Sequence, residues 1–125
     1  MKLKDDFFCV KTSCTTTTGF DYIIGLNPEH FIYKAHFPDN PITPGVCIVQ
    51  ITKELTEEIL QFPLFLSMVK NIKFTQVINP LQYAEVTFVI TNPQKNESGY
   101  KVSASVECEN IVFAKMNLLF INKVK

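Results

Sequence analysis

The sequence predicts an α+β fold in which an antiparallel β-sheet wraps one long central α-helix. Three observations carry this expectation. One segment, from about Pro44 to Gln61, has apolar residues at helical spacing. The chain on either side is rich in β-branched and aromatic residues, which favour strands. Turn-forming Gly, Pro and Asn residues cut those flanks into six strand-sized pieces. A helix with so apolar a stripe needs a sheet face to bury it. At 125 residues, 46% of them apolar, residues 1–125 are expected to form one domain with a real core. One sheet and one helix make a thin core, so dimerisation is expected.

The elements follow in order. Phe7 to Thr18 is rich in Thr, Phe, Cys and Val and reads as a strand, broken by Gly19. Phe20 to Leu26 resumes as a second strand that Asn27-Pro28 ends. Phe31 to Ala35 is a short aromatic turn of helix. His36 to Gly45 holds three prolines and a glycine in ten residues, which makes it a pinned loop. In the helix, Ile48, Ile51, Leu55 and Ile59 form the apolar stripe, broadened by Val49, Thr52 and Leu60. Gln50, Glu54, Glu57, Glu58 and Gln61 form the opposite, polar one. Thr43 is the expected N-cap, Pro44 the first helical residue and Pro63 the terminator. Leu66 to Ile78 is the next strand, turned by Asn79-Pro80. Tyr83 to Thr91 alternates, with Ala84, Val86, Phe88 and Ile90 on one face. A polar turn over Asn92 to Gly99 precedes strands Tyr100 to Cys108 and Ile111 to Ile121, joined by Glu109-Asn110.

Composition excludes several function classes. Twelve basic and twelve acidic side chains leave no net charge, which argues against a nucleic-acid binder. Every basic residue is Lys, so an anion would meet a point charge or a backbone N–H, never a guanidinium fork. There is no apolar run of membrane-spanning length, and the opening Met1-Lys2-Leu3-Lys4-Asp5-Asp6 turns acidic where a secretory signal would turn apolar. Cys9, Cys14, Cys47 and Cys108 make no C-x-x-C pair and have no histidine at zinc-site spacing, so they are read as reduced thiols. Together these predict a cytoplasmic protein. No metal or nucleotide cofactor is expected, because there is no phosphate-binding glycine loop and no ligand cluster.

The chemistry concentrates between His36 and Gln50. A histidine, able to hold or release a proton at neutral pH, sits in a loop locked by Pro38, Pro41 and Pro44. The loop runs straight into a helix start at Gly45-Val46, whose first N–H groups have no partner within the helix. A glycine there lets a ligand oxygen approach the backbone, so a thioester or ester carbonyl could be polarised as in an oxyanion hole. Each feature also has a plain reading: a packed histidine and an ordinary Pro-Gly helix entry.

His36-Phe37-Pro38-x-x-Pro41-Ile42-x-Pro44-Gly45-Val46 resembles the signature of the 3-hydroxyacyl-acyl carrier protein dehydratases, with eight of eleven positions matched. Lys73-Phe74-Thr75-Gln76-Val77-Ile78-Asn79-Pro80 resembles the strand and Pro turn that follow the helix in that family, and the resemblance runs over nearly the whole chain. It implies the hotdog fold and a mechanism. His36 would remove the α-proton of a 3-hydroxyacyl thioester, and the Gly45 amide would hold the thioester oxygen. A carboxylate on the helix of the neighbouring subunit would help the hydroxyl leave, giving a trans-2-enoyl thioester. Phe37, Pro44, Val46 and Phe74 would contact substrate. The acyl chain would arrive on the phosphopantetheine arm of an acyl carrier protein, with no cofactor of the enzyme's own. The working unit would be a homodimer, or a heterodimer with another hotdog chain.

The family's acid lies fourteen residues after its loop histidine, and Gln50 stands there. Gln cannot release a proton, though its NH2 group can donate a hydrogen bond. Three readings follow. Gln50 orients the substrate hydroxyl while another group or water supplies the proton. A nearby carboxylate, Glu54 or Asp39, substitutes. Or the chain is a catalytically silent partner subunit or acyl-thioester binding module. A thioesterase ranks behind these, since it would need a carboxylate on the helix. His30 is expected to pack. Cys47 could act as a nucleophile but suits a small apolar site. Phe31, Tyr33, Phe37 and Phe74 are either tunnel or core, and Lys34, Lys70 and Lys73 are candidates to meet an acidic carrier protein.

Overall fold

The computed structural model describes residues 1–35 and 38–124. Its elements are strands β1 (Phe8–Thr15) and β2 (Gly19–Leu26), helices α1 (Phe31–Ala35) and α2 (Gly45–Leu60), and strands β3 (Leu64–Phe74), β4 (Glu85–Thr91), β5 (Gln94–Asn96), β6 (Gly99–Cys108) and β7 (Ile111–Asn122). All pairings between these strands are antiparallel, in the order β1-β2-β4-β6-β7-β3, with β5 paired to β6 alone. The sheet wraps α2, as the hotdog fold requires. Strand β5 falls inside the stretch expected to be a turn. It is a three-residue return across Gly99, whose φ of 140° only glycine adopts readily.

Periodicity explains the core. Along β4, Val86, Phe88 and Ile90 are buried, and along β6 so are Val102, Ala104 and Val106. These period-two faces meet the α2 stripe of Ile48, Ile51 and Leu55. Full burial of Ile51 or Leu55 contributes about 1.5–3 kcal/mol each. Two threonines on this buried face satisfy their hydroxyls within the helix: Thr52 donates to the Ile48 carbonyl at 3.0 Å and Thr56 to the Thr52 carbonyl at 2.7 Å.

The helix ends differ from expectation. Pro44, not Thr43, is the N-cap; its backbone is extended and its carbonyl receives the Cys47 and Ile48 N–H groups at 3.0 and 3.2 Å. Thr43 is buried because a tertiary acceptor outbids the local one. Its N–H and its hydroxyl both donate to the Ile78 carbonyl, at 2.9 and 3.0 Å. Its oxygen in turn accepts the Tyr33 hydroxyl at 2.8 Å. Tyr33 stacks on Phe7 at 4.9 Å. The entry to α2 is therefore tied to α1, to the N-terminal segment and to the turn after β3. At the other end Gln61, with φ of 67°, returns its N–H to the Glu57 carbonyl before Pro63 is reached.

The polar stripe of α2 is not simply solvated. Glu54 is buried, and its carboxylate receives the N–H groups of Leu3 at 2.7 Å and Lys4 at 2.9 Å. Glu57 receives the N–H of Leu64, the first residue of β3, at 2.8 Å. The opening residues thus form a strap along the helix, anchored by the buried side chains of Leu3 and Phe7.

Candidate functional site

Helix α2 carries a second stripe, flanking its buried face. Val46, Val49, Gln50 and Lys53 fall at i, i+3, i+4 and i+7, one side of a helix. Opposite lie Leu66, Val69, Ile72 and Phe74 of β3, the edge strand. Between them runs a largely apolar groove of about 640 Å3, with Gly45 at one end and Met1 of the strap on its rim. Among the described residues its polar features are few: the first turn of α2, the Gln50 amide and the Lys53 ammonium.

At the Gly45 end the fit is close. A Cβ on Gly45 would lie 2.8 Å from the Phe74 ring, so the ring covers the first helical turn only because a glycine is there. Phe74 is 48% exposed and Val46 71% exposed, high values for large apolar side chains. The Pro44 carbonyl takes the Cys47 and Ile48 N–H groups, which leaves those of Gly45 and Val46 without a partner within the helix, beside this apolar surface.

Gln50 and Glu54 are bonded to each other. The Gln50 side-chain nitrogen donates to Glu54 Oε2 at 2.8 Å and to the Met1 carbonyl at 2.6 Å. With the two strap N–H groups already on it, the Glu54 carboxylate holds three hydrogen bonds from this chain. Glu54 does not line the groove. Its place is in a neighbouring cleft with Lys2, Lys4, Glu57 and Glu58.

The other expected residues sort as follows. Gly45, Gln50, Val46 and Phe74 come together on the groove. Pro44 caps the helix beside it and is not among the lining residues. His36 and Phe37 lie outside the described residues. Asp39 is exposed on the loop. Cys47 is buried, and burial pushes its thiol up from the ordinary value, so it is a small core residue and a poor nucleophile. His30 packs, as expected: its Nδ1 accepts the Ile32 N–H at 3.1 Å, its Nε2 meets Asp6 at 3.1 Å, and its ring stacks on Phe31 at 4.6 Å. Tyr33 is core and Phe31 points outward. Lys34 sits 3.6 Å from Glu29, while Lys70 and Lys73 are exposed on β3. Sequence reasoning missed Val49 as a groove residue, the β3 wall, Lys53 and the strap. Valines at 46 and 49 beside Gln50, and Leu3 and Phe7 four apart among charges, are the signals that could have found them.

Among the described residues no helix is long and apolar enough to cross a membrane, and no cluster of metal-ligating side chains occurs.

Comparison with known proteins agrees with the fold. The structure is similar to the dehydratase heterocomplex ApeI:P from Xenorhabdus doucetiae, with TM-score 0.72 and 14% identity over 90% of this chain and 96% of that one. It is equally similar to an uncharacterized protein from Erwinia carotovora subsp. atroseptica, with TM-score 0.72 and 16% identity over 93% and 97%. In sequence it is 25% identical over 115 residues to the 3-hydroxyacyl-[acyl-carrier-protein] dehydratase FabZ of Rickettsia typhi, covering 86% of this chain and 77% of that protein. The ApeI-like family, described as ApeI dehydratase, matches residues 12–115. The chain belongs to the ApeI-like dehydratase family of hotdog proteins.

Proposed function

We propose that the protein removes water from a 3-hydroxyacyl thioester delivered by an acyl carrier protein, in fatty acid or related acyl chain synthesis. The observation that carries this is the groove itself. It sets a helix N-terminus at Gly45 and an amide at Gln50 along one apolar trough, matching a ligand with a thioester at one end and a hydroxyl further along its chain. The Gly45 amide receives the thioester oxygen as negative charge develops at the α-carbon. His36 takes the α-proton, the electron pair becomes the new C–C double bond, and the C3–O bond breaks. The departing hydroxide takes a proton from the imidazolium or from water, because Gln50 has none to give.

The partner surface in this reading is β3. It ends the sheet, so one side of its backbone faces no strand among the described residues, and Phe65, Leu66, Met68 and Val69 are exposed along it. A second hotdog chain, identical or related, would pair there and bring its own loop histidine toward the groove. The lysines of β3, Lys70 and Lys73, are where an acidic carrier protein would dock.

One observation favours a second reading, a silent partner subunit. Glu54, the carboxylate one helical turn from Gln50, is committed to the strap. Intact mass of a 3-hydroxyacyl-acyl carrier protein after incubation with the purified protein separates the two. Loss of one water with wild type and none with His36→Ala is expected. No loss with wild type, alone or mixed with a second hotdog chain, would refute the dehydratase reading; loss only in the mixture would establish the partner-subunit one.

A further inference from the structure

The hydrogen bonds of Gln50 determine which end of its amide a ligand meets. The amide nitrogen has two hydrogens, and two acceptors claim them: the Met1 carbonyl at 2.6 Å and Glu54 Oε2 at 2.8 Å. Neither acceptor has a proton of its own to offer. A carbonyl has none, and the Glu54 oxygens already receive the Leu3 and Lys4 N–H groups. Turning the amide over would set its oxygen against two other oxygens. The chemistry of the neighbours therefore fixes the orientation, the only sound basis for assigning an amide. Both NH2 hydrogens are held, one by Met1 on the groove rim and one by Glu54 off the groove, while no donor among the described residues meets Oε1.

We propose that Gln50 meets its ligand as an acceptor, through Oε1, and that Glu54 is the positioning residue that sets this polarity. This rests on the acyl-thioester reading and refines it. The group recognised is a hydrogen-bond donor on the acyl chain, a 3-hydroxyl. A 3-oxo group at the same place would oppose oxygen to oxygen, and a saturated carbon would leave the amide oxygen unmet. The site then selects the hydroxy form from the related intermediates of acyl chain synthesis at the binding step. This is the opposite of the expectation that Gln50 donates through its NH2 group.

The test is calorimetric titration with the S-pantetheine thioesters of 3-hydroxyoctanoic, 3-oxooctanoic and octanoic acid, in the His36→Ala background to prevent turnover. The 3-hydroxy thioester is expected to bind at least about fivefold more tightly than the 3-oxo one, the worth of one net hydrogen bond. Gln50→Met, which keeps the length without polar atoms, should bring that ratio to within about twofold and tighten octanoyl binding, because no amide oxygen is then left unmet. Glu54→Gln frees the Gln50 amide to turn and should lower the ratio as well. A merely structural role for Glu54 would weaken all three ligands together. Unfolding midpoints of each variant identify any loss of fold, in which case Gln50→Met alone decides. Equal or tighter binding of the 3-oxo thioester by the parent, or a ratio untouched by Gln50→Met, overturns the proposal while leaving the acyl-thioester reading in place. Binding of none of the three overturns both.

Discussion

Thr43 offers a stringent check on how the site entrance is held. Its hydroxyl donates to the Ile78 carbonyl at 3.0 Å and accepts from the buried Tyr33 hydroxyl at 2.8 Å. Thr43→Val preserves shape and keeps the second donor to Ile78, the Thr43 N–H at 2.9 Å. The loss at Ile78 is then one ordinary hydrogen bond, about 0.5–1.5 kcal/mol, but the Tyr33 hydroxyl is stranded in the core at about 1–3 kcal/mol more. The expected total is about 1.5–4.5 kcal/mol, or roughly 6–17 °C in melting temperature for a chain of this size. Tyr33→Phe alone should cost only about 0.5–1.5 kcal/mol, because Thr43 keeps its acceptor. The double variant should be more stable than Thr43→Val by about 1 kcal/mol or more, since nothing polar is left without a partner. Urea unfolding of the four proteins measures this cycle. A double variant no more stable than Thr43→Val would refute the reasoning, and the loop would have to be held by its prolines and packing alone.

Two further outcomes are expected. Gly45→Ala should push aside the exposed Phe74 ring and put a methyl at the mouth of the helix N-terminus. Turnover should fall about a hundredfold, the scale of losing one oxyanion donor, with less than about 4 °C change in melting temperature; unchanged turnover would remove the Gly45 amide from the mechanism. Stability should also fall at alkaline pH. Burial raises the Cys47 thiol above its ordinary value of 9.0 and the Tyr33 hydroxyl above 10.0. Each group therefore ionises at higher pH in the folded chain than in the unfolded one. The unfolded state then binds fewer protons, and stability is lost as pH rises through 9 and again through 10. Unfolding midpoints measured from pH 7 to 11 follow this, and Tyr33→Phe should shrink the later step, to which Tyr22, raised by burial and by the Glu58 carboxylate, also contributes.

The sequence made legible whatever depends on local period. The spacing of Ile48, Ile51 and Leu55 marked the helix face that is buried, and the alternation of Val86, Phe88 and Ile90 marked the inner side of β4. Residues whose partners are distant in the chain were misread. Glu54 looked like a solvated stripe residue because the N–H groups it accepts come from Leu3 and Lys4, some fifty positions away. Thr43 looked like a helix cap because Thr-Pro before an apolar run usually is one, yet Ile78 offered it a better acceptor. Gly45, Gln50, Val46 and Phe74, singled out by resemblance, line one groove. The groove that unites them needed β3 to arrive at the sheet edge beside α2, which is topology and not local pattern. Nothing in the spacing of Gln50 could say which end of its amide would be spoken for.

The two walls of the groove are built to different standards of stiffness. Helix α2 is moored at Thr43, Glu54 and Glu57 to three separate stretches of chain, so it can neither roll nor slide without breaking several bonds at once. Within one chain the described strands pair β3 on one side only, and its register with β7 slips twice, between Leu66 and Met68 and between Val69 and Asn71. Each slip is a place where a strand bends readily. Helix α2 is thus a fixed anvil and β3 the jaw that gives. Accommodation of bulkier chains should show first in amide exchange on either side of Ser67 and Lys70, and last in the helix.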